Sequence, residues 1–214
     1  MRIPKHVGII PDGNRRWAVG NGLTKEKGYE MGLKPGLDLL KLCKEAGVEE
    51  VSYYGFTVDN NKRPLIQRRA FTAACIEAVK ILSSENASLL VVGNYNSPMF
   101  PKELLPFIKR KSFGSGDIKV NFLVNYGWEW DLNNIKQHAD EKSISLFSSL
   151  NSSDISRIDM VIRWGGRRRL SGFLPAQTVY SDFYVIDDYW PDFKPEHFYQ
   201  ALEWYDKQDI TLGG

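Results

Sequence analysis

Cysteine is scarce in this sequence, whose 214 residues include only Cys43 and Cys75. Both lie in apolar segments with helical periodicity, so we expect reduced core residues rather than a disulfide framework. The sequence also lacks a secretory signal peptide and an apolar run long enough to span a membrane. Together these absences predict a cytoplasmic protein.

An excess of charge of one sign is missing as well. Lysine and arginine number 28 and aspartate and glutamate 26, which leaves a net charge of +2. Such a balance argues against a general nucleic-acid binder, and the GxxxxGK[ST] loop that holds nucleotide phosphates is absent. No Pro/Gly/Ser-rich linker or internal repeat divides the chain, so we expect residues 1–214 to form a single domain.

What the sequence does contain is an alternation of strand and helix patterns. Six short apolar runs are typical of buried strands: 7–10, 51–56, 89–92, 118–124, 160–162 and 183–186. Helices are predicted from about Asn14 and over 36–46, 67–83, 104–109, 134–147 and 195–206. This order predicts an α/β fold in which helices flank both faces of a mostly parallel six-stranded sheet.

The segment after the first predicted strand carries the residues best suited to catalysis. Asp12 ends the apolar run, Gly13 permits a tight turn, and a helix is expected from Asn14. Ligands of open α/β sheets bind at the carboxyl ends of strands, where helix N–H groups and Arg16 suit a phosphate. A carboxylate repels a phosphate unless a cation lies between them, so Asp12 indicates Mg²⁺. The alternative is an ordinary Asp-Gly-Asn turn with Asp12 as a helix cap.

A second basic segment follows the predicted strand 160–162. Arg163 and the run 167–169 place four arginines within seven positions, and the glycine pair 165–166 lets the backbone approach a ligand closely. Arg169 and Ser171 are two residues apart and face the same way on an extended loop. These groups suit a diphosphate. The alternative, a basic surface loop, leaves the crowded charges without an anion to neutralise them.

Five groups of residues occur in a fixed order: 9–18, 54–64, 125–127, 162–174 and the pair 180–182 with 190–193. Together they resemble the cis-prenyltransferase family of the undecaprenyl diphosphate synthase type, along nearly the whole chain. The resemblance implies Mg²⁺-dependent condensation of isopentenyl diphosphate with an allylic prenyl diphosphate, which gives a cis-prenyl diphosphate and pyrophosphate. It further implies a homodimer with a hydrophobic tunnel, and the lipid product implies peripheral contact with a membrane.

The resemblance also implies roles for individual residues. Asp12 would be the essential acid that handles Mg²⁺ and the leaving diphosphate, and Asp182 would complete the metal site. Asn60, with Thr57, matches positions linked to ionisation and proton removal. The allylic diphosphate is expected at Gly13, Asn14, Arg15, Arg16, Trp17, Lys25, Tyr29, Thr57 and Arg63. The isopentenyl diphosphate is expected at Arg163, Arg169 and Ser171.

Several residues depart from the family pattern around the predicted reacting centre. Tyr29 stands where a histidine is usual, Trp164 where threonine is common, Arg167 at a usually acidic position, and Thr211 in a tail that usually has an arginine. The sequence is therefore expected to be a divergent, short member of the family. Two alternatives stay open: head-to-middle condensation to a branched, lavandulyl-type product, and a non-catalytic partner subunit of a heteromeric enzyme.

Overall fold

Seven strands form one central sheet in the computed structural model, which describes residues 1–133, 135 and 146–209. The strands are β1 (His6–Ile10), β2 (Glu50–Thr57), β3 (Ala87–Val92), β4 (Lys111–Phe113), β5 (Ile118–Tyr126), β6 (Met160–Arg163) and β7 (Asp182–Val185). Their order is β4-β3-β5-β2-β1-β6-β7, and every neighbouring pair is parallel except β3 and β4. The predicted α/β fold with a mostly parallel sheet is confirmed.

The prediction of six strands is wrong by one. The additional strand is β4, which pairs with β3 at the edge of the sheet. It spans three residues, of which Lys111 and Ser112 are exposed. So short a segment shows neither alternation nor an apolar run, and only its pairing with β3 makes it a strand.

The α-helices of the described residues are α1 (Asn14–Gly20), α2 (Lys27–Met31), α3 (Leu33–Ala46), α4 (Leu65–Ser83), α5 (Trp128–Asn133) and α6 (Pro195–Asp206). The start of α1 and both bounds of α6 agree with the sequence pattern. The segment predicted as a helix over 104–109 is a 3₁₀ helix, Lys102–Phe107. The predicted helix over 134–147 lies largely outside the described residues, and α5, just before it, was not predicted.

Two apolar clusters hold the layers together, one on each face of the sheet. Side chains of α3, α4 and α6, such as Leu39, Val79 and Phe198, pack on one face. On the other face, α5 and irregular segments that include Ile155 and Phe173 supply the contacts. Both cysteines are free and buried, as expected of core residues, and burial raises the pKa of the Cys75 thiol to about 12. Within the described residues, no helix combines the length and apolar character needed to cross a membrane.

The strand β1 is buried on both faces, which explains its continuous apolar run. At Gly8 a Cβ atom would lie 2.6 Å from Cε1 of Phe173, so the missing side chain lets that segment pack directly on the sheet. In the register of β1 with β6, Ile10 lies opposite Arg163. The loops that follow these strands therefore begin side by side at the carboxyl edge of the sheet.

Candidate active site

A cavity of about 520 Å³ lies at this carboxyl edge and extends between α3, α4 and the sheet. Its polar part is lined by residues that follow β1, β2 and β6, including Asp12, Arg63 and Arg163. Its apolar part is lined by Leu33, Leu37, Tyr53, Ala74, Ala78, Ile81, Leu82 and Phe122. A single pocket thus offers a charged region and a hydrocarbon-like region, which is the shape an amphipathic ligand needs.

Asp12 lies between two guanidinium groups. Nη2 of Arg163 donates to Oδ2 of Asp12 at 2.9 Å, and Nη2 of Arg16 lies 3.4 Å from Oδ1. The backbone N–H of Gly13 donates to Oδ1 at 2.6 Å. Burial acts to raise the pKa of the Asp12 carboxyl, but the hydrogen bond from Arg163 and the charges of Arg16 and Arg163 hold that pKa below its ordinary value. Asp12 is therefore a carboxylate at neutral pH.

The turn between β1 and α1 requires glycine at residue 13. Gly13 has φ +104°, and a Cβ atom there would lie 2.6 Å from the Tyr189 ring. The neighbouring Asn14 donates from Nδ2 to the carbonyl of Pro11 at 3.0 Å. Its buried Oδ1 has no hydrogen-bond partner among the described residues. Buried polar atoms are normally paired, and an amide oxygen only accepts hydrogen bonds, so this atom is available to a hydrogen-bond donor or a cation rather than to a diphosphate oxygen.

Tyr29, which stands at the family's histidine position, belongs to the cavity wall. Nη1 of Arg63 donates to the Tyr29 hydroxyl oxygen at 3.0 Å, and the Tyr29 ring stacks on Phe71 with centroids 4.5 Å apart. Burial raises the pKa of the Tyr29 hydroxyl, although the nearby arginines oppose this. The hydroxyl therefore keeps its proton, and because it accepts from Arg63 it can still donate to a diphosphate. Arg15 also lines the cavity, with Nη1 3.4 Å from Oε1 of Gln67.

Thr57 and Asn60 lie at the end of β2 and line the cavity as well. The backbone N–H of Thr57 donates to Oδ1 of Asn60 at 3.0 Å, which fixes the amide. The Asn60 NH₂ group is a hydrogen-bond donor, and a neutral amide is a poor base. This geometry favours a binding role for Asn60 over direct proton removal.

The loop after β6 brings Arg163, Arg169 and Ser171 together, as predicted. Arg163 is 4% exposed, and its Nη1 donates to Oγ of Ser171 at 3.0 Å and to the carbonyl oxygen of Arg169. Ser171 itself has φ +54°, a conformation that turns the loop back toward the cavity. All three residues line the same cavity as Asp12.

Three predicted site residues lie elsewhere. Trp17 donates from Nε1 to Oδ1 of Asp192 at 2.6 Å, and Lys25 is exposed; neither lines the cavity. Asp182 pairs with Met160 at the amino end of β6, and Met160 pairs with Val7. Asp12 lies beyond Ile10, the last residue of β1, so the two acids are separated by about 10 Å along the strands, at roughly 3.3 Å per residue, and by two strand spacings of about 4.8 Å across the sheet. The predicted pairing of Asp182 with Asp12 on one metal is therefore wrong within a single chain.

Tyr189 and Trp190 belong to the site although no role was predicted for them. The backbone N–H of Trp190 donates to the carbonyl of Asp12 at 3.0 Å, and its Nε1 donates to the carbonyl of Gly32 at 2.9 Å. The guanidinium of Arg16 lies over the Tyr189 ring, 5.0 Å from its centroid. These contacts fix the turn that carries Asp12. In the sequence, only the contribution of the segment 190–193 to the family resemblance pointed to these residues. Nothing in that segment indicated a catalytic or binding role.

Among the residues described, no group of three histidine, cysteine, aspartate or glutamate side chains converges to hold a metal by itself. Mg²⁺ is often held by one or two carboxylates together with substrate phosphates and water. Asp12 fits that pattern because it is ionised, partly exposed and surrounded by arginines that suit phosphate. The donor set is thus appropriate for Mg²⁺ that arrives with a diphosphate.

Known proteins are similar to this chain along nearly its whole length. Residues 10–213 match the protein family described as "Putative undecaprenyl diphosphate synthase". A ditrans,polycis-undecaprenyl-diphosphate synthase ((2E,6E)-farnesyl-diphosphate specific) from Photorhabdus laumondii is 30% identical over 231 residues, which cover 99% of this chain and 90% of the relative. An isoprenyl transferase from Shouchella clausii is 29% identical over 233 residues, which cover 100% and 90%.

A solved structure shows the same fold. The crystal structure of lavandulyl diphosphate synthase from Lavandula x intermedia, in complex with dimethylallyl diphosphate, matches with a TM-score of 0.86 and 20% sequence identity, over 99% of this chain and 98% of that chain. With the family match across residues 10–213, the conclusion follows that this chain is a prenyltransferase of the undecaprenyl diphosphate synthase family.

Proposed function

We propose that this protein is an Mg²⁺-dependent prenyltransferase that condenses isopentenyl diphosphate with an allylic prenyl diphosphate. The products are a cis-prenyl diphosphate and pyrophosphate. The observation that carries the proposal is the position of Asp12, an ionised carboxylate held by Arg16 and Arg163 where one cavity passes from arginine-lined to apolar walls. A diphosphate headgroup and its hydrocarbon chain would occupy these two regions at once.

The arginines suit the first chemical step, in which the allylic C–O bond breaks. Negative charge grows on the departing diphosphate, so fixed cations around it stabilise the transition state more than the bound substrate. Arg16 and Arg63 line the cavity beside Asn14 and the Tyr29 hydroxyl, which add neutral hydrogen-bonding groups. We assign the allylic diphosphate to this group. The apolar wall excludes water from the carbocation that the step leaves behind.

The second step joins the two substrates. The isopentenyl double bond attacks the allylic carbocation, a C–C bond forms, and a proton leaves the new unit. Arg169 and Ser171 lie on the opposite side of Arg163 from Asp12 in the hydrogen-bond network, and we assign the isopentenyl diphosphate to them. Asp12 would hold Mg²⁺, which supplies positive charge that neutralises the diphosphate when it is bound.

Product identification tests the proposal. The purified full chain is incubated with isopentenyl diphosphate, Mg²⁺ and dimethylallyl, geranyl or farnesyl diphosphate, and products are examined by mass spectrometry and NMR. We expect elongated products with new cis double bonds, and loss of product when EDTA removes the metal. Branched products alone would replace the linear reaction by head-to-middle condensation. No product from any starter would instead favour a partner subunit.

The proposal also covers the oligomeric state of the protein, its contact with membranes and its location in the cell. We infer a homodimer, which light scattering of the purified chain tests, since family members of this type are expected to pair. Contact with membranes would come through the lipid product. A cytoplasmic location stays a prediction.

A further inference from the structure

Three consecutive arginines in the loop after β6 point in different directions. Arg167 and Arg169 line the cavity, whereas Arg168 does not. Nη2 of Arg168 lies 3.6 Å from Oδ1 of Asp187, and its Nη1 donates to the carbonyl of Gly166 at 3.4 Å. Side chains two apart on an extended segment share a face, and the one between them faces away. The loop therefore directs the side chains of Arg167 and Arg169 to the cavity and that of Arg168 to Asp187 at the surface.

The backbone that carries Arg167 is fixed from both sides. Gly165 and Gly166 have φ +84° and +70°, conformations that glycine adopts without strain. The N–H of Gly165 donates to the carbonyl of Asp188 at 2.8 Å, and that of Gly166 donates to the carbonyl of Ile186 at 3.0 Å. A Cβ atom on Gly165 would meet the backbone of Asp12 at 3.1 Å, so this turn packs against the Asp12 loop. Arg167 thus emerges from a defined point beside the reacting centre.

Arg163 is already bonded within the protein. Its two terminal nitrogens donate to Asp12, Ser171 and the carbonyl of Arg169. Three of its five N–H groups are used in this way, so only Nε–H and one Nη2–H remain for a diphosphate. In contrast, the guanidiniums of Arg167 and Arg169 have neither an ion-pair nor a hydrogen-bond partner in the part of the chain that the structure describes.

The charged side chains that line the cavity also indicate Arg167 and Arg169 as ligands. Its charged lining consists of Asp12, Arg15, Arg16, Asp59, Arg63, Arg163, Arg167 and Arg169. Asp12 balances part of the charge of Arg16 and Arg163, whereas no acid of the described residues forms an ion pair with Arg167 or Arg169. Guanidinium groups match the oxygens of a diphosphate.

We propose that Arg167 is a further substrate-binding residue, which together with Arg169 holds the diphosphate of isopentenyl diphosphate beside Arg163 and Ser171. This inference rests on the proposed function, since it names a ligand for the second substrate of that reaction. It changes the predicted set of Arg163, Arg169 and Ser171, in which Arg167 had no role.

The matched variants Arg167→Gln and Arg168→Gln test the inference. Both remove one positive charge from an exposed side chain of the same loop, so both should fold like the parent. Isopentenyl diphosphate is titrated calorimetrically into the full chain saturated with an unreactive thiolo analogue of dimethylallyl diphosphate. We expect Arg167→Gln to weaken binding roughly tenfold or more, as loss of a charge-assisted hydrogen bond does. Arg168→Gln should stay within about twofold.

Steady-state kinetics add a readout for each substrate. Arg167→Gln should raise KM for isopentenyl diphosphate and leave KM for the allylic substrate unchanged, and Arg167→Lys should recover part of the loss. Equal losses in the Arg167→Gln and Arg168→Gln variants would show a general charge effect and overturn the inference, as would unchanged binding in Arg167→Gln. A parent that binds isopentenyl diphosphate through Arg167 but forms no product would overturn the proposed function instead.

Discussion

The amino and carboxyl edges of the central sheet, where its parallel strands begin and end, each carry a carboxylate whose pKa is lowered. The surroundings of these two carboxylates differ. At the amino edge, Glu50 is 4% exposed and accepts hydrogen bonds from Asn121 Nδ2 at 2.6 Å and Ser156 Oγ at 2.7 Å. His6 completes this network through Ser52, with Nε2 2.8 Å from its Oγ. At the carboxyl edge, Asp12 is partly exposed beside a cavity in which the side chains of Arg167 and Arg169 have no ion-pair partner among the described residues.

The difference separates a structural polar cluster from a binding site. The buried side-chain atoms without a hydrogen-bond partner in the described residues include Asn14 Oδ1 and Arg163 Nε at the carboxyl edge, and none belongs to Glu50, His6 or Asn121. A closed network has satisfied its donors and acceptors and has little left for a ligand. The open network has polar atoms and charges that are available to a ligand.

The strongest test of this comparison is the Asp12→Asn variant. It keeps the size of the side chain and removes the negative charge between Arg16 and Arg163. Turnover should fall by about 10²–10³-fold or more, the range seen when one preorganised electrostatic group is removed. Initial rates with the best starter from the substrate panel measure the effect, and a rate within a few-fold of the parent would remove Asp12 from the mechanism.

The complementary test is Glu50→Ala at the closed edge. It leaves the donors of Asn121 and Ser156 without their acceptor, which should lower the free energy of unfolding by about 2–3 kcal/mol. Because this edge lies away from the cavity, kcat of the folded variant should stay close to that of the parent. Urea unfolding and initial rates give the two values. A large loss of kcat with unchanged stability would show that the comparison is wrong.

The smallest expected effect is on the pH dependence of stability. Burial acts to raise the pKa of both carboxyls. The hydrogen bond from Arg163 and the charges of Arg16 and Arg163 nevertheless hold the pKa of Asp12 below 3.8. The pKa of Glu50 is held below 4.5 by the charge that His6 carries when protonated and by hydrogen bonds from Asn121 and Ser156. Each therefore adds to the free energy of unfolding above those ordinary values, and the contribution is lost as the pH falls through the folded-state pKa. Solvent screens the more exposed Asp12, so its share is smaller.

Urea unfolding at about pH 6 and pH 3 measures that loss. We expect the parent to lose stability on acidification, and Glu50→Ala to lose less because one of the responsible carboxyls is gone. Asp12→Asn should behave more like the parent. If Asp12→Asn instead flattened the pH dependence more than Glu50→Ala, Asp12 would be the more important carboxylate for stability. The comparison of the two edges would then be wrong.

Much of the fold could be predicted because strong local patterns agreed with the tertiary structure. The apolar run ending at Ile10 is a strand, and α6 has the predicted bounds of Pro195–Asp206. The missed elements include β4, α2 and α5, which are three, five and six residues long. Segments this short are stabilised by contacts with distant residues more than by their own periodicity.

The candidate site was likewise predicted only where local patterns were sufficient. Asp12, Arg63, Arg163 and Arg169 meet in one cavity because each follows a strand of a parallel sheet, and the carboxyl ends of those strands share an edge. Asp182 failed because it begins β7 rather than following it. An acid close to a strand in the sequence can lie at either end of that strand. Its position is known only when the strand's bounds and register are known.

The sequence by itself determined the alternation of strands and helices, the glycine turn after β1 and the supply of arginines and one acid near strand ends. Only the tertiary structure decided which of those charges face the cavity. It turned Arg168 to Asp187, left Arg167 without an ion pair among the described residues, and bonded Arg163 to Asp12 across 151 positions of the chain. The physical reason is that strand register and loop dihedral angles set the direction of a side chain, and both depend on distant contacts.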